Sequence, residues 1–544
     1  MKAVLLRKVR LKGAQLMLTI QEGGFHGEAA FFLVSGEERV KVNLTKRGEG
    51  KREEKKEGDK KKEREVGEEE KKEEKKEEEK KEEEKEEPGA VYSLELPNLR
   101  EGDWVLSEKT ILSAEARKDI LLWGPRRKLP GDLLLFPLGG NGEELTLRVR
   151  KITEYDGPGT WFLERFSFGL TPLLKRLGLY KKSIVVFEKF CGQAQDNGFA
   201  FFSYCQRELP LEKRKRVFFI LDQKSPSYQE LKKSYGGQLL PFMGLRHMLL
   251  MQLSPLYVAS ESRYHGYLFR CVPNPVFREI RRGNHKIFFL QHGVTAQKRV
   301  DSVFGAHGYN PMDYMAATSY WEQEIIEKHF GYPKERVPVT GFTRWDSWRD
   351  ERNPKKRYLL FCPTWRGYLD GKDEDFFRGS EYFRGYQSLL EDEGLGRLLR
   401  EQNLFLYFCL HPRLHEQGGV FSSPFTEVSF VPYDGKSLPG LLMGAYGVIT
   451  DFSSLAYDGA YLNRPVFFYR FDEERYNAET GGYIPREELP GPVADTKEDL
   501  LVLLEAAAKE GFPSPKLREG LFAYQDGKAC ERTVSFLRGQ GYGI

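Results

Sequence analysis

The chain has 544 residues, 40% hydrophobic and 13% aromatic, too long for one core and apolar enough for several. Its 85 basic and 81 acidic side chains leave a formal net charge of only +4, which excludes a global field for nucleic acid. Six cysteines (Cys191, Cys205, Cys271, Cys362, Cys409 and Cys530) show neither CxxC pairs nor zinc-like spacing, and are expected as buried free thiols in a reducing compartment.

The N-terminal MKAVLLRKVRLKG lacks a signal-cleavage pattern, and no run of eighteen apolar residues occurs, so no spanning helix is expected. The expected location is the cytoplasm or the inner face of the cell membrane. Residues 1–45 read as short strands in AQLMLTIQEGG, GEAAFFLVSGEE and RVKVNLTK. Residues 46–89 form a charged low-complexity insertion or linker. Its EEKKEEKKEEEKKEEEKEE pattern suits a solvated helix or disorder, and no activity is assigned to it. Strand signals return in AVYSLELP, DWVLSE, DLLLFPL and ELTLRVRKI, so 1–45 plus 90–153 predict a small β-rich N-terminal domain interrupted by the tract. Residues 154–182 are a linker helix or an amphipathic helix. WFLERFSFGLTPLLKRLGLYKK mixes apolar and basic residues suited to an anionic membrane surface, with Pro172 expected to break any single long helix.

From Lys181 the pattern changes. The short apolar runs KKSIVVFE, KRVFFILD, LYVASES, KIFFLQHG, YMAATS and VPVTG alternate with helical stretches such as SYWEQEIIEKHFG. A second series follows in RYLLFCPTW, LFLYFCLHP, EVSFVPYD, YGVITDFS and PVFFYRF. Such alternation predicts parallel sheets, and two series in tandem predict two doubly wound, Rossmann-like α/β domains, 183–350 and 351–544. Ligands of such sheets bind at the carboxyl ends of the strands.

The strand exits therefore hold the candidate site residues. KIFFL runs into QHGVTAQK, with His292, Gly293 and Thr295, and Gly293 permits close backbone approach to a ligand. VPVTG runs into FTRWD with Arg344, RYLLFC into PTWRG with Pro363, Thr364 and Arg366, and FLYFCL into HPRLH with His411 and Arg413. VITDFSSLAYD supplies Asp451, Ser453, Ser454 and Asp458. Each has an ordinary structural reading: a strand-end His as a core or cap residue, Pro412 as a strand end, the double Ser as a helix cap. Together, Arg forks and a helix start suit phosphate oxygens, and His moves protons near neutral pH. The joint reading is phosphoryl or glycosyl chemistry on a nucleotide-activated donor. GxxxxGK[ST], HExxH and GxSxG are absent, as is a GxGxxG after a first strand.

The ordered series QHG, G-x-x-R, PTWR, HPR, TDFSSLAYD and NRPVFFY resembles the CDP-glycerol glycerophosphotransferase family of teichoic acid primases and polymerases. VVFEKFCGQAQDNGFAFFSY upstream and RFDEERYNAETGGYI downstream are similar to its flanking segments, so the resemblance covers about 183–510. It implies a GT-B fold, with 183–350 on the acceptor side and 351–544 on the CDP-donor side. It also implies transfer of glycerol phosphate, or ribitol phosphate, from CDP-glycerol or CDP-ribitol to a polyprenyl-diphosphate-linked or polymer acceptor, releasing CMP. On this resemblance the active-site histidines are His292 and His411, and Arg344 and Thr364 contact the donor. Ser453 and Ser454 bind phosphate beside Asp458. Gly293, Thr295, Pro363, Arg366 and Arg413 are assigned to the donor site by motif neighbourhood. The family commonly has Thr-Pro after its HG, whereas this chain has Val294 and Thr295, which shifts the expected contacts of that loop.

His292 is expected as general base for attack on the β-phosphorus, with His411, Arg344, Ser453 and Ser454 stabilising charge. No cofactor, metal or nucleic acid is expected. The alternatives are a GT-B glycosyltransferase using a nucleotide sugar and a non-catalytic glycan- or partner-binding scaffold.

Overall fold

The computed structural model describes residues 4–12, 15–22, 31–35, 38–49, 90–107, 110–139, 144–267, 274–370, 372–411, 414, 418–432 and 437–544. Arg413, Pro412, Cys271 and 50–89 of the charged tract lie outside these residues. The chain divides into two compact units, Met1–Leu170 with Arg270–Arg282, and Thr171–Phe269 with Gly283–Ile544.

The N-terminal unit contains two sheets. One orders Leu44–Glu49, Ala90–Glu95, Gln15–Glu22, Val4–Lys12 and Thr110–Leu112. The other orders Glu38–Val42, Phe31–Ser35, Gly102–Leu106, Leu145–Lys151, Leu133–Gly139 and Arg127–Leu129. Leu6, Leu16 and Leu18 of the first share a core with Leu33, Trp104 and Leu147 of the second. Residues 46–49, read from the sequence as the start of the charged tract, instead complete a strand paired with Ala90–Glu95. Charge is tolerated there because this is an edge strand.

The larger unit carries two six-stranded parallel sheets. The leading sheet comprises β1 (Ile184–Phe187), β2 (Val217–Leu221), β3 (Leu239–Pro241), β4 (Leu256–Ala259), β5 (Lys286–Phe289) and β6 (Tyr314–Met315), in the order β3-β2-β1-β4-β5-β6. The trailing sheet comprises β7 (Tyr358–Phe361), β8 (Phe405–Cys409), β9 (Val428–Val431), β10 (Gly447–Thr450), β11 (Val466–Tyr469) and β12 (Val493–Ala494), in the order β9-β8-β7-β10-β11-β12. Runs such as IVVF, VFFIL, YLLF and VFFY are buried at every position, as strands covered on both faces require. In each sheet the order reverses between the first and fourth strands, β1/β4 and β7/β10, which opens a crevice at their carboxyl ends.

Two expectations are corrected. VPVTG forms only a single bridge, Ala317 to Val339, because Pro338 and Gly341 interrupt a longer ladder. Helix Pro158–Arg176 runs through Pro172, on a face where the side chains of Phe166 and Leu173 are exposed and the lost backbone bond is not trapped in a core. Both parallel sheets fall within one compact unit. Helix Ala529–Gly539 turns Val534 and Leu537, with Ile544, into the core of the leading sheet, so the end of the chain does not belong to the trailing sheet. The five described cysteines are buried and unbridged.

Candidate active site

The leading sheet assembles a histidine between two carboxylates. His292 leaves β5 with Nε2 at 3.1 Å from Glu261 Oε1 and Nδ1 at 3.7 Å from Asp196 Oδ2. Glu261 follows β4, and Asp196 precedes helix Asn197–Glu208 after β1, so both acids flank the β1/β4 switch point. Burial by itself would lower the His292 pKa. The Glu261 charge, with the bonds to Asp196 and Glu261, outweighs it and raises the value to about 10. The two flanking carboxylates therefore favour the protonated ring.

The backbone aims this ring through strain. Gln291 sits at φ +61°, a left-handed conformation that L side chains rarely adopt. It is held there because its amide donates to Glu322 and to the Ala316 carbonyl, while its Oε1 accepts from Thr295 Oγ1 at 2.6 Å. Asn197 Nδ2 also donates to the Gln291 carbonyl, at 2.9 Å. Thr295, assigned from the sequence to the donor site, is thus buried in the support of the loop, with its N–H on Glu322 at 2.7 Å. Glu188 caps the helix after β1 by accepting the N–H groups of Gln195, Asp196 and Phe199. A Cβ at Gly198 would stand 3.0 Å from Glu188 Cγ, which accounts for the DNG spelling.

Glu261 immediately precedes the turn Ser262–Tyr267, which His247 pins. His247 Nδ1 accepts the Met243 N–H at 2.8 Å, so Nε2 carries the proton and donates to the Gly266 carbonyl at 2.7 Å. Burial pushes the His247 pKa down to about 4. The folded value lies below the ordinary 6.5, so the unfolded chain takes up this proton first. The stability His247 contributes is complete above pH 6.5 and is lost as pH falls towards 4, by about 3 kcal/mol. Denaturant titrations at pH 7 and 4.5 should show this acid limb, and it should flatten in His247→Asn.

Arg344 joins the two sheets. Its Nη1 donates to Asp196 Oδ1 at 2.9 Å, and its Nη2 to Asp458 Oδ1 at 2.8 Å and Oδ2 at 3.1 Å. Trp345 Nε1 donates to Asp458 as well, at 2.7 Å. Burial raises the Asp458 pKa against the pull of Arg344, and Arg344 stays charged. Expected as donor contacts, Arg344 and Asp458 are committed to each other in the buried seam.

The trailing sheet brings up the double serine. Ser453 Oγ accepts the Leu455 N–H at 3.2 Å, whereas Ser454 caps no backbone group. Gly293 packs directly on Ser454: a Cβ there would lie 2.1 Å from Ser454 Oγ. Gln297 braces the approach, with Nε2 on the Ser453 carbonyl at 2.9 Å and Oε1 accepting from Arg470. Segment 481–483 closes over the same loop, the Tyr483 N–H bonding the Ala296 carbonyl at 2.8 Å and its hydroxyl accepting from the Val300 and Asp301 N–H groups.

Pro363 is buried at the β7 exit, and Thr364 beside it gives its N–H to Asp451 at 2.9 Å, leaving a buried Oγ1 with no partner. Arg366 is 2% exposed, forked onto Asp472 at 2.8 Å by both Nε and Nη2 and 2.9 Å from Asp451. Two carboxylates hold it at the sheet's edge of the site. His411 lies at the β8 exit, its ring 6.2 Å from that of Trp365. The structure thus brings His292, Gly293, Ser454, Arg344 and Asp458 to one seam, with Thr295 and Arg366 buried beside it. Sequence reasoning missed Glu261, Asn197, Gln297 and Arg470. The one signal available for Glu261 was its position just past the strand in LYVASES.

The larger unit is an α/β structure of two doubly wound parallel sheets that meet at their polar strand exits. The chain belongs to the CDP-glycerol:poly(glycerophosphate) glycerophosphotransferase family, whose pattern matches residues 172–538. It is 29% identical over 310 residues to the minor teichoic acid biosynthesis protein GgaB of Bacillus subtilis, covering 54% of this chain and 32% of that protein. It is 28% identical over 303 residues to the teichoic acid ribitol-phosphate polymerase TarL of Staphylococcus aureus, covering 50% of this chain and 51% of that protein. The chain thus spans about a third to a half of the length of these relatives. A structure of the wall teichoic acid polymerase TagF aligns at 16% identity and a TM-score of 0.48, covering 70% of this chain and 97% of that one.

Proposed function

We propose that the protein transfers alditol phosphate, glycerol phosphate first among candidates, from a CDP-alditol to a lipid-linked or polymer acceptor in the synthesis of a teichoic-acid-like polymer. The acceptor oxygen forms a bond to the β-phosphorus, the bond from that phosphorus to the bridging oxygen breaks, and CMP leaves, its phosphate taking up the proton that the acceptor hydroxyl gives off. The observation that carries this reading is the direct packing of Gly293 on Ser454, which places His292 beside the double serine. In this GT-B-type arrangement the diphosphate lies along the seam, against Ser453, Ser454 and the unpartnered Thr364 hydroxyl, with His411 flanking. Phosphoryl transfer depends chiefly on positioning and charge. His292 enters as an imidazolium that stabilises charge on the transferring group.

The test is CMP release from CDP-glycerol, with CDP-ribitol and UDP-glucose in parallel and a polyprenyl-diphosphate-linked acceptor. Release from a CDP-alditol supports the reading, and UDP release from UDP-glucose overturns it. His292→Ala should lower kcat about 10²–10³-fold while keeping its thermal transition. In the wild type, kcat/KM should stay level from pH 6 to 8.5 and fall as the His292 proton is lost towards pH 10. A tenfold rise per pH unit between 6 and 8 would make His292 the base instead.

The acceptor's lipid places the enzyme at the inner membrane face. On helix Pro158–Arg176, Phe162, Phe166 and Leu173 are exposed, as is Leu177 just after it, and Lys175, Arg176, Lys181 and Lys182 are close by in the sequence. Apolar anchors beside basic residues suit an anionic interface. No described helix is long and apolar enough to cross a membrane. Phe162→Glu with Phe166→Glu should release the protein from anionic vesicles in a flotation assay. Unchanged flotation would remove the helix from the membrane contact.

A further inference from the structure

We propose that Glu261 is the positioning residue of this site, holding the ring and the proton of His292 from the exit of β4. The role in turnover rests on the transfer proposed above; the proton-holding does not. Glu261 is 7% exposed, yet its described ion-pair partners are two imidazoles, His292 at 3.1 Å and His265 at 3.6 Å. Other buried acids here are held by backbone N–H groups, as Glu188 and Glu322 are, or by an Arg, as Asp472 is by Arg366.

Asp196 is the other acid beside His292, but it stands farther away, at 3.7 Å, and is already claimed by Arg344 at 2.9 Å. Glu188 lies behind Asp196 with its own pKa raised, by burial and then by the Asp196 charge. His265 and Lys189 act on Glu261 from its own side. The Phe289 ring stands edge-on to the imidazole at 5.7 Å. With Nε2–H fixed on Glu261, Nδ1 is the nitrogen turned towards Asp196 and the seam. The sheet supplies this geometry unaided: the acids come from the two strands at the switch point, and the histidine from the next strand over.

The chain has nine histidines, so histidine-selective isotope labelling makes the full protein tractable by NMR. The His292 signal is identified by its loss in His292→Gln. In the wild type it should remain in the charged form to about pH 9 or above. In Glu261→Gln, which keeps shape and removes charge, its midpoint should fall by more than one pH unit. Glu261→Asp, with the charge retained but withdrawn by one methylene, should fall between the two. In Asp196→Asn the shift should be smaller than in Glu261→Gln. An unmoved midpoint in Glu261→Gln overturns the proposal, as does an equal or larger shift in Asp196→Asn, which transfers the role to Asp196. Should Glu261→Gln lack a native thermal transition, the Asp variant decides, and an unmoved midpoint there overturns it too. In the assay, Glu261→Gln should lower kcat at least tenfold with little change in KM for CDP-glycerol. The titration needs no donor. The expected shift in a protein that releases no CMP would therefore overturn the alditol-phosphate reading and leave Glu261 as the proton's holder.

Discussion

Gly293→Ala is expected to abolish turnover, with a loss of 100-fold or more, of the order that a displacement of about 1 Å in a reacting group produces. The cause is one contact. An added Cβ would stand 2.1 Å from Ser454 Oγ and 2.6 Å from Ser454 Cβ, so either the His292 loop or the serine turn must move. Backbone conformation is not the obstacle, because Gly293 does not occupy the left-handed region. This gives a sharp control. Ser454→Gly removes the opposing atoms, so the double variant should match the Ser454→Gly single variant rather than multiply the two losses. Multiplied losses in a CMP-release assay would mean that Gly293 matters for another reason than its approach to Ser454.

Arg344→Met is expected to destabilise the fold by about 3–5 kcal/mol, the usual cost of leaving buried charge without its partner. Asp458 would keep only the Trp345 N–H, and Asp196 would keep the long pair to His292. A loss of that size is a large share of the roughly 5–15 kcal/mol that holds a typical protein folded. Adding Asp458→Asn should recover part of it in denaturant titrations, since an amide needs no cation. Lysine should not substitute, because one ammonium cannot fork between two carboxylates while packing on the Phe342 and Trp348 rings, as the guanidinium does at 4.8 and 5.6 Å. Equal stability of Arg344→Lys and wild type would sink this account of the seam.

The sheets of the larger unit were legible in the sequence because strands covered on both faces are written as unbroken apolar runs, and IVVF or YLLF admits few other readings. The polar exits were legible for the same reason, as the points where those runs stop. What a strand exit does was not. Arg344 and Arg366 look alike in sequence, each a few residues beyond an apolar run. Their fates are set by acids far along the chain, Asp458 for one and Asp472 for the other, the latter 106 residues away. Glu261 sits in SES, which reads as an ordinary turn until the strand order shows that β4 borders the switch point. The apolar residues of ACERTVSFLRG announce a helix, but nothing local says which sheet it will cover. Thr295 is a different case, for a hydroxyl beside a His-Gly pair is equally apt to touch a ligand or to brace the loop.

The return of the last helix to the leading sheet sets the order in which the chain can mature. Strands β1 to β6 leave the ribosome by residue 315, yet the core they enclose is finished by Val534, Leu537 and Ile544. At the usual ~5–20 residues per second of synthesis, that nascent half waits on the order of ten seconds or more with an apolar face uncovered. The trailing sheet is made within this interval, so it can fold beside a neighbour that is still incomplete. The last helix then completes the core of the leading sheet, and a chain stalled shortly before it would present a sticky surface to chaperones and proteases.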